Sequence, residues 1–205
     1  MPEPSLPSVA LENEVVRLEP LSPAHVAALR VAVDADRSSF GYTAVPQPDE
    51  VEAYVADRLR VVERGRMASF VQIEAATGTV VGHTTYCGPV WVKGMLRAIE
   101  VGHSWLTPAA QGGAVNTASK LLLFRHAFER WGVDRVQLTT DARNERSRHA
   151  ILAVGGLFEG VARRSGLSRV PGEEGRTRDT AVFSLISDEW PATRARLEAR
   201  LASRV

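Results

Sequence analysis

A glycine-containing turn between a strand and a helix is the feature that most constrains this chain. The strand-like run 99–106 (IEVGHSWL) ends at a Thr-Pro pair, and the run 111–123 (QGGAVNTASKLLL) then opens into a helix with apolar periodicity. The first N–H groups of a helix have no intrahelical partner, the helix dipole favours negative charge there, and glycine lets a phosphate approach the backbone. The turn therefore predicts a pyrophosphate-binding cradle. The alternative is an ordinary connection in which Asn116 or Thr117 caps the helix.

Composition and charge exclude several classes of protein. The 205 residues, 44% hydrophobic and 24% charged, predict one globular domain, which we assign to residues 15–205 behind a flexible lead-in of residues 1–14. A net charge of +1 gives no electrostatic attraction to nucleic acid or to an anionic membrane.

No apolar run reaches the roughly 18 residues of a membrane span. The lead-in also lacks the basic-then-apolar order of a signal peptide. Cys87 is the only cysteine, which excludes an intrachain disulfide and a Cys-rich zinc site. We therefore expect no metal and a cytoplasmic location.

The predicted elements follow one another as in a mixed α/β chain. Strands are predicted at residues 15–18, 68–74, 80–87, 98–106, 135–140, 158–167 and 177–186. Helices are predicted at 22–35, at 49–64, from the cradle to about residue 131, from Asn144 to Gly155, and at 188–201. Residues 36–48 and 88–97 are predicted to be irregular. The strand–helix–strand crossover at 99–140 should bring its two strands parallel and side by side, in a sheet that is otherwise antiparallel on one side.

Three motifs, in this order, give the chain a resemblance to a known family. Residues 111–116 (QGGAVN) match the pattern Q/R-x-x-G-x-G/A by position, with Ala114 and Asn116 where the pattern has a glycine and a smaller residue. Asn144 and Ser147 form an N-x-x-S motif at the start of the next helix, and residues 175–191 contain R-D-x-x-x-F-S-x-x-x-x-E-W. On these motifs the chain resembles the GNAT superfamily of acyl-CoA N-acyltransferases. It is most similar to the RimJ/RimL-like branch, over nearly its whole length.

The resemblance implies a fold, a reaction and a co-substrate. The fold is the GNAT type of α/β (α+β) architecture: a mixed, mostly antiparallel sheet of six to seven strands, helices on both faces, and a splayed parallel strand pair that holds acetyl-CoA or another acyl-CoA. The reaction is direct transfer of an acetyl or other short acyl group to an amine of a protein N-terminus, a lysine or a small molecule. The residues implied to contact the cofactor are Trp105, Leu106, Thr107, Gln111, Gly112, Gly113, Ala114, Val115, Asn116, Thr117, Asn144 and Ser147.

Glu100 and Ser147 are the candidate catalytic residues. An alkyl amine carries a proton at neutral pH, so a general base helps it to attack. Glu100 is the candidate because carboxylates on this strand serve as the base in many relatives, and an ion-paired or solvent-facing glutamate is the alternative. Strict alternation along the strand puts Glu100 on the same face as Gly102 and Ser104. Ser147 is the candidate donor to the leaving thiolate, with a place in the helix cap as its alternative.

Other reactive or charged side chains are interpreted as structural. Cys87, a lone cysteine in a strand, is expected to be an inert core residue. Lys120 and Arg148 are expected to be solvated surface charges, and the alternative is that they act electrostatically on the phosphates of the cofactor. His83 and His103 are weaker candidates for the base than Glu100, although histidine has a suitable intrinsic pKa.

The acceptor is not named by the sequence. Arg163, Arg164, Arg169 and Arg176 lie in or near the predicted 158–186 hairpin, where they favour an acidic acceptor or acyl group or simply add solubility. A non-catalytic acyl-CoA-binding sensor on the same fold is the alternative function. A nucleotide-binding domain is disfavoured because the G-x-x-x-x-G-K-[ST] and G-x-G-x-x-G motifs are absent. A homodimer is compatible with the resemblance, since some relatives dimerise.

Overall fold

One mixed sheet organises the chain. The computed structural model of the protein describes residues 5–34 and 36–203, and its sheet has eight strands in the order β1-β2-β3-β4-β5-β6-β8-β7. The strands are β1 (Leu11–Glu12), β2 (Val16–Pro20), β3 (Met67–Glu74), β4 (Val80–Val92), β5 (Met95–Leu106), β6 (Arg135–Asp141), β7 (Leu157–Leu167) and β8 (Thr177–Ile186). The helices are α1 (Val26–Val33), α2 (Val51–Glu63), α3 (Val115–Arg125), α4 (Glu145–Ala153) and α5 (Trp190–Ala202). The predicted mixed α/β class and element order are confirmed.

Helices pack on both faces of the sheet because the strands are apolar on both faces. On one face, Val71 and Ile73 of β3 contact the apolar sides of α1 and α2. On the other, Ala68 and Phe70 of the same strand contact α3 and α5. Alternation along β3 thus separates two hydrophobic clusters. In α3 every residue except Asn116, from Val115 to Phe124, is buried, as expected for a helix enclosed between a sheet and a second helix.

The predicted irregular segment 88–97 is instead the end of a long β4–β5 hairpin. Val90 pairs with Ala98, and Trp91 with Leu96, so both strands continue to a tight turn at residues 93–94, each with positive φ. A register shift lies between Cys87 and Val90, where Gly88 has a φ of 58°. The bulge contains Gly88 and Pro89, a pair that in the sequence alone indicates the end of a strand.

The parallel pair predicted from the crossover is present but short. β5 and β6 pair only at Ala98↔Arg135, Ile99↔Val136 and Glu100↔Gln137. Beyond Glu100, β5 keeps its partner β4, and β6 keeps its partner β8 along its whole length. Two strand edges therefore face each other without pairing, and the sheet opens into a cleft at the end that carries the glycine turn.

The strand number predicted for the sheet, six to seven, was too low because β1 lies inside the predicted lead-in. Leu11 pairs with Leu18 of β2, and Leu6 is buried with its N–H bonded to the carbonyl of Gly65 (3.1 Å). Part of the lead-in is thus attached to the sheet. The domain division at residue 14 stays a prediction, and residues 1–4 lie outside the described residues.

Most helix boundaries agree with the start and stop signals in the sequence, with short 3₁₀ turns added at the beginning. Pro23–His25 and Pro48–Glu50 form such turns before α1 and α2. The helix predicted to run to about residue 131 is α3 up to Arg125, followed by a π-helical turn at His126–Arg130. The predicted end of the first helix at Ala35 falls on a residue outside the described ones. Among residues 5–34 and 36–203, no helix has the length and apolar character needed to cross a bilayer.

Candidate active site

A β-bulge in β5 shapes one wall of the cleft. Trp105 pairs with His83 and Gly102 with Thr85, so two residues of β5, His103 and Ser104, face one residue of β4. His103 has a φ of 49°, in the left-handed region that non-glycine residues rarely adopt. The extra residue shifts the alternation of side chains by one position beyond Gly102.

Because of the bulge, Ser104 lies on the opposite face of β5 from the one predicted. Glu100 and Gly102 do share a face, since a Cβ added to Gly102 would lie 3.0 Å from Glu100 Oε1. Ser104, however, points to the α3 face, where its Oγ lies 2.7 Å from Thr84 Oγ1 and accepts a hydrogen bond from Lys120 Nζ (2.7 Å). Strict alternation was the wrong rule for this strand.

The cleft between β5 and β6 holds a cavity of about 240 Å³. Its walls come from both separated strands, the glycine turn, α3, α4 and the 36–48 loop. Predicted cofactor-contacting residues that line it are Trp105, Leu106, Gln111, Gly112, Asn116, Asn144 and Ser147. The remaining predicted site residues, Glu100, Thr107, Gly113, Ala114, Val115 and Thr117, lie around it without lining it. Contacts of either group with a ligand stay predictions.

The glycine turn leads directly into α3, as predicted. Gly112 has a φ of 72°, and the N–H of Ala118 bonds to the carbonyl of Ala114 (2.9 Å) to close the first helical turn. Ala114 occupies the N-cap position, and no side chain caps the helix. Asn116 and Thr117 are therefore not caps: Asn116 lines the cavity, whereas the Thr117 side chain is buried. The N-terminal end of α3 therefore presents backbone N–H groups, rather than a capping side chain, beside the cavity.

Gln111 ties three parts of the site together. Its Nε2 donates to the carbonyl of Leu106 (2.8 Å) and to Ser39 Oγ (2.9 Å). Its Oε1 accepts from Arg146 Nη1 (2.8 Å), and Arg146 also donates to the carbonyl of Ser39. Gln111 thus joins the end of β5, the 36–48 loop and the start of α4, which makes it a positioning residue.

The N-x-x-S motif has the predicted capping geometry. Asn144 is the N-cap of α4, and its Oδ1 accepts a hydrogen bond from the N–H of Ser147 (3.0 Å). The cap uses only the backbone of Ser147. Its hydroxyl lines the cavity and has no hydrogen-bond partner among residues 5–34 and 36–203, so it is available as a donor. Cap and ligand roles are compatible at this position.

Glu100 lies where the two strands begin to separate, at the last β5–β6 pair. Its Oε1 accepts from Thr139 Oγ1 (2.9 Å), and its Oε2 lies 3.4 Å from Gln137 Nε2. Both partners are neutral and come from β6. Within the described chain the carboxylate has no ion pair, so the predicted alternative of an ion-paired glutamate does not hold.

Lys120 is the functional-site residue whose environment was predicted wrongly. It is only 5% exposed, lines the cavity beneath α3, and donates to Ser104 Oγ. Burial lowers its pKa from 10.5 to about 7, because desolvation disfavours the ammonium form. The uncharged surroundings of Lys120 in the run 118–124 could have indicated a helix buried all round.

Gln72 also lines the cavity and was not among the predicted site residues. Its Nε2 donates to Ser119 Oγ (2.7 Å), and its Oε1 is buried without a partner in the described chain.

The two strand histidines differ in environment. His83 is fully buried between Tyr54 and Ser69, and burial lowers its pKa to about 3, so it is a core residue. His103 lines the cavity and is exposed, and its pKa is lowered by partial desolvation of the ring and by the positive charges of nearby arginines. Burial raises the pKa of Cys87 to about 12, in agreement with an inert thiol.

Arg148 is also less solvated than predicted, since it lies over the Phe158 ring and donates to the carbonyl of Ala142. Among residues 5–34 and 36–203, no group of three potential metal ligands is found.

Comparison with known proteins identifies a family profile that spans most of the chain. Residues 16–156 match the family described as "Acetyltransferase (GNAT) domain". The match covers β2 to the end of α4, and so includes the glycine turn, the splayed strands and the N-x-x-S motif.

Solved structures and a curated protein extend the comparison. A GCN5-related N-acetyltransferase from Brucella melitensis is 27% identical, with a TM-score of 0.84 over 98% of this chain and 88% of the other. Mycobacterium smegmatis RimJ, solved in complex with CoA-disulfide, is 24% identical, with a TM-score of 0.75 over 96% and 94% of the two chains, a likeness of fold. The Bacillus subtilis (strain 168) protein named "Putative ribosomal N-acetyltransferase YdaF" is 33% identical over 94 residues, which are 46% of this chain and about half the length of that relative.

Proposed function

Because the chain belongs to the GNAT acetyltransferase family, we propose that it moves an acetyl or other short acyl group from acyl-CoA to an amine by direct transfer. The observation that supports this most strongly is the separation of β5 from β6 directly beside the start of α3. Unpaired strand edges and a helix N-terminus, meeting at one cavity, match the two polar parts of an acyl-CoA: the pantetheine amides and the pyrophosphate.

The donor would lie along the cleft. The turn at Gly112 and the first turn of α3 supply backbone N–H groups for the pyrophosphate, and Asn116 adds a side-chain amide at the cavity wall. The edge of β5 from Val101 to Leu106 supplies hydrogen-bonding groups for the pantetheine arm. Docking the donor in this way brings its thioester towards the point where the strands part.

Glu100 is proposed as the general base. The acceptor amine must lose a proton before or as its nitrogen attacks the thioester carbonyl, and the Glu100 carboxylate takes that proton directly or through one water. Thr139 holds the carboxylate in place, and within the described chain no cation lies within ion-pair distance of Glu100, since the charge of Arg178 acts on it from farther away. As the new C–N bond forms, the C–S bond breaks and charge develops on sulfur.

Ser147 is proposed to stabilise that charge. Its hydroxyl lines the cavity, is fixed by the cap at Asn144, and has no competing hydrogen-bond partner in the described residues. A hydroxyl donor aimed at the departing sulfur stabilises the thiolate without a covalent enzyme intermediate. The thiolate then takes a proton from water or from this hydroxyl, and CoA leaves as a thiol.

A non-catalytic acyl-CoA-binding module is the second candidate. It is favoured by the position of Glu100 outside the lining of the cavity. The two candidates make the same prediction for donor binding and opposite predictions for turnover.

The test has two steps. Calorimetry with acetyl-, propionyl- and succinyl-CoA should detect binding of at least one donor, and the absence of binding by all three would sink both candidates. Release of free CoA is then measured with a panel of amines that includes peptides, lysine and small polyamines. Turnover supports the transferase, whereas binding without turnover on the whole panel would favour the binding module.

The acceptor and the cellular setting belong to the same proposal. A protein N-terminus is one acceptor class, supported by the name of the Bacillus subtilis relative, and a lysine or small-molecule amine is another. A cytoplasmic location is proposed because Cys87 is unpaired and the donor is a cytoplasmic thioester. A homodimer stays a prediction.

A further inference from the structure

Three arginines whose charges act on His103 form no ion pair within the described chain. Other arginines on this side of the sheet do: Arg143 bonds to Asp141 and Glu173, and Arg135 bonds to Glu159. In the described part of the chain, by contrast, no ion pair is formed by Arg58, Arg169 or Arg178. The charges of Asp141 and Glu100 act on Arg178 only from beyond ion-pair distance, so a ligand carboxylate could pair with its guanidinium group directly.

Arg58 of α2 is one of the cations whose charge acts on His103 in the bulge of β5. Its guanidinium carbon lies 4.9 Å from the centre of the Tyr54 ring. The Tyr54 hydroxyl lies 3.0 Å from His83 Nδ1, which in turn lies 3.3 Å from the carbonyl oxygen of His103. A short chain of contacts therefore connects the Arg58 cation to the bulge in β5.

Arg178 and Arg169 reach the same region from the opposite side. Thr180 of β8 pairs with Asp141, so Arg178, two residues along, lies on the sheet face that also carries Thr139 and its partner Glu100. Arg169 follows the end of β7, where the N–H of Ser168 bonds to the carbonyl of Arg176.

Two features indicate that these cations act on the cleft. The charges of Arg58, Arg169 and Arg178 add to partial desolvation in lowering the pKa of His103, so all three raise the electrostatic potential at this cavity-lining residue. In addition, the Nε atoms of Arg58 and Arg178 are buried and have no hydrogen-bond partner among residues 5–34 and 36–203. A buried donor left without a partner costs free energy that an acceptor on a ligand would recover.

We propose that the amine acceptor is the N-terminus of an acidic peptide, whose carboxylates bind Arg58, Arg169 and Arg178 while its amine faces Glu100. Guanidinium groups suit this task because they bind carboxylates through paired N–H donors. The cations come from α2, β8 and the β7–β8 connection, so they approach His103 from three separate elements and can bind more than one carboxylate of an extended segment. The inference rests on the proposed acyl transfer, whose acceptor it specifies.

The experiment compares peptide N-termini of equal length that differ only in charge: acidic (Asp and Glu after the first residue), neutral (Asn and Gln) and basic (Lys and Arg). With saturating acetyl-CoA, kcat/KM should be highest for the acidic peptide, and Arg178→Gln or Arg58→Gln should lower that value by roughly tenfold through KM, the size of one charged hydrogen bond. The matched control is Arg163→Gln, which removes the same charge from an exposed position in the irregular part of β7 between Ala162 and Gly166. Raising the salt concentration should reduce the preference.

Each outcome decides the matter. Equal kcat/KM for acidic and neutral peptides, or an equal loss in Arg163→Gln, would overturn the inference. So would a weaker acetyl-CoA affinity in Arg58→Gln or Arg178→Gln, because the arginines would then hold the donor. If no peptide is acetylated, the affinity of the protein–CoA complex for each peptide is measured by fluorescence anisotropy. A preference for the acidic peptide without turnover would retain the inference and remove the proposed function, and no preference would overturn the inference.

Discussion

Replacing Lys120 with methionine should make the protein more stable at neutral pH and remove one component of its pH dependence. Lys120 is 5% exposed, and its hydrogen-bond partners are the neutral hydroxyls of Ser104 and Thr84. Its pKa is about 7 in the folded chain, against an ordinary value of 10.5. Below about pH 7 the ammonium is protonated in both states, and the folded state bears the full cost of burying it.

The size of the effect follows from the two pKa values. A difference of 10.5 against about 7 corresponds to about 5 kcal/mol, at about 1.4 kcal/mol for each tenfold change in the equilibrium. The unfolded chain binds more protons than the folded one between these values, so wild-type stability rises with pH across this window. By the same relation, the free-energy cost of burying the Lys120 ammonium falls by about 2–3 kcal/mol between pH 6 and pH 9. Methionine has a similar shape and no charge, and Ser104 and Thr84 can still hydrogen-bond to each other.

Urea unfolding followed by tryptophan fluorescence, at several pH values from 6 to 9, measures the difference. The Lys120→Met variant should have the higher free energy of unfolding at pH 6, and its advantage should shrink by about 2–3 kcal/mol at pH 9. Lys93→Met is the control, because Lys93 is exposed in the β4–β5 turn. An advantage that does not change with pH, or an equal change in the control, would refute the account of Lys120 as a buried cation.

The remaining predictions concern the site. Glu100→Gln should lower kcat by about 10²–10⁴-fold with little change in acetyl-CoA affinity, measured by CoA release and calorimetry. The control is Glu63→Gln, a substitution at an exposed position on α2. Equal rates in the two variants would exclude Glu100 as the base. Ser147→Ala should lower kcat by about tenfold while the cap and the melting temperature are kept, because the cap uses the Ser147 backbone; unchanged turnover would end its proposed role. Gly112→Ala should cost about 1 kcal/mol of stability and weaken acetyl-CoA binding, since a φ of 72° is unfavourable with a Cβ. Gly41→Ala, at negative φ with open space around it, should do neither, and similar effects in both variants would contradict the reasoning.

The family, the fold class and the parallel strand pair beside the cleft could be predicted because they depend on local signals. The strand at 177–186 was predicted with the bounds it has, and the crossover from 99 to 140 correctly indicated a parallel pair. The family resemblance drawn from the cradle and the N-x-x-S motif is confirmed by the match over residues 16–156. These features are set by periodicity, glycine positions and connection length, all of which can be read along the chain.

The errors have a different origin, since each depends on a neighbour in space. Ser104 was assigned to the wrong face because a bulge is created by β4 and β5 together. Lys120 was predicted to be solvated because a single lysine suggests a surface, whereas α3 is enclosed by the sheet and α5. The hairpin at 88–97 was missed because Gly88 and Pro89 resemble a strand end, and pairing continued past them.

The environment of Cys87 has a practical consequence for these experiments. With a pKa of about 12, the only thiol of the chain is ionised to roughly one part in 10⁴ at pH 8. A colorimetric thiol reagent should therefore report the CoA released by turnover with almost no background from the folded enzyme. The same property makes Cys87 a reporter, because a Cβ added at Gly102 would lie 3.4 Å from its sulfur, beside Glu100. A sudden gain in thiol reactivity would signal that the sheet has opened at the centre of the cleft.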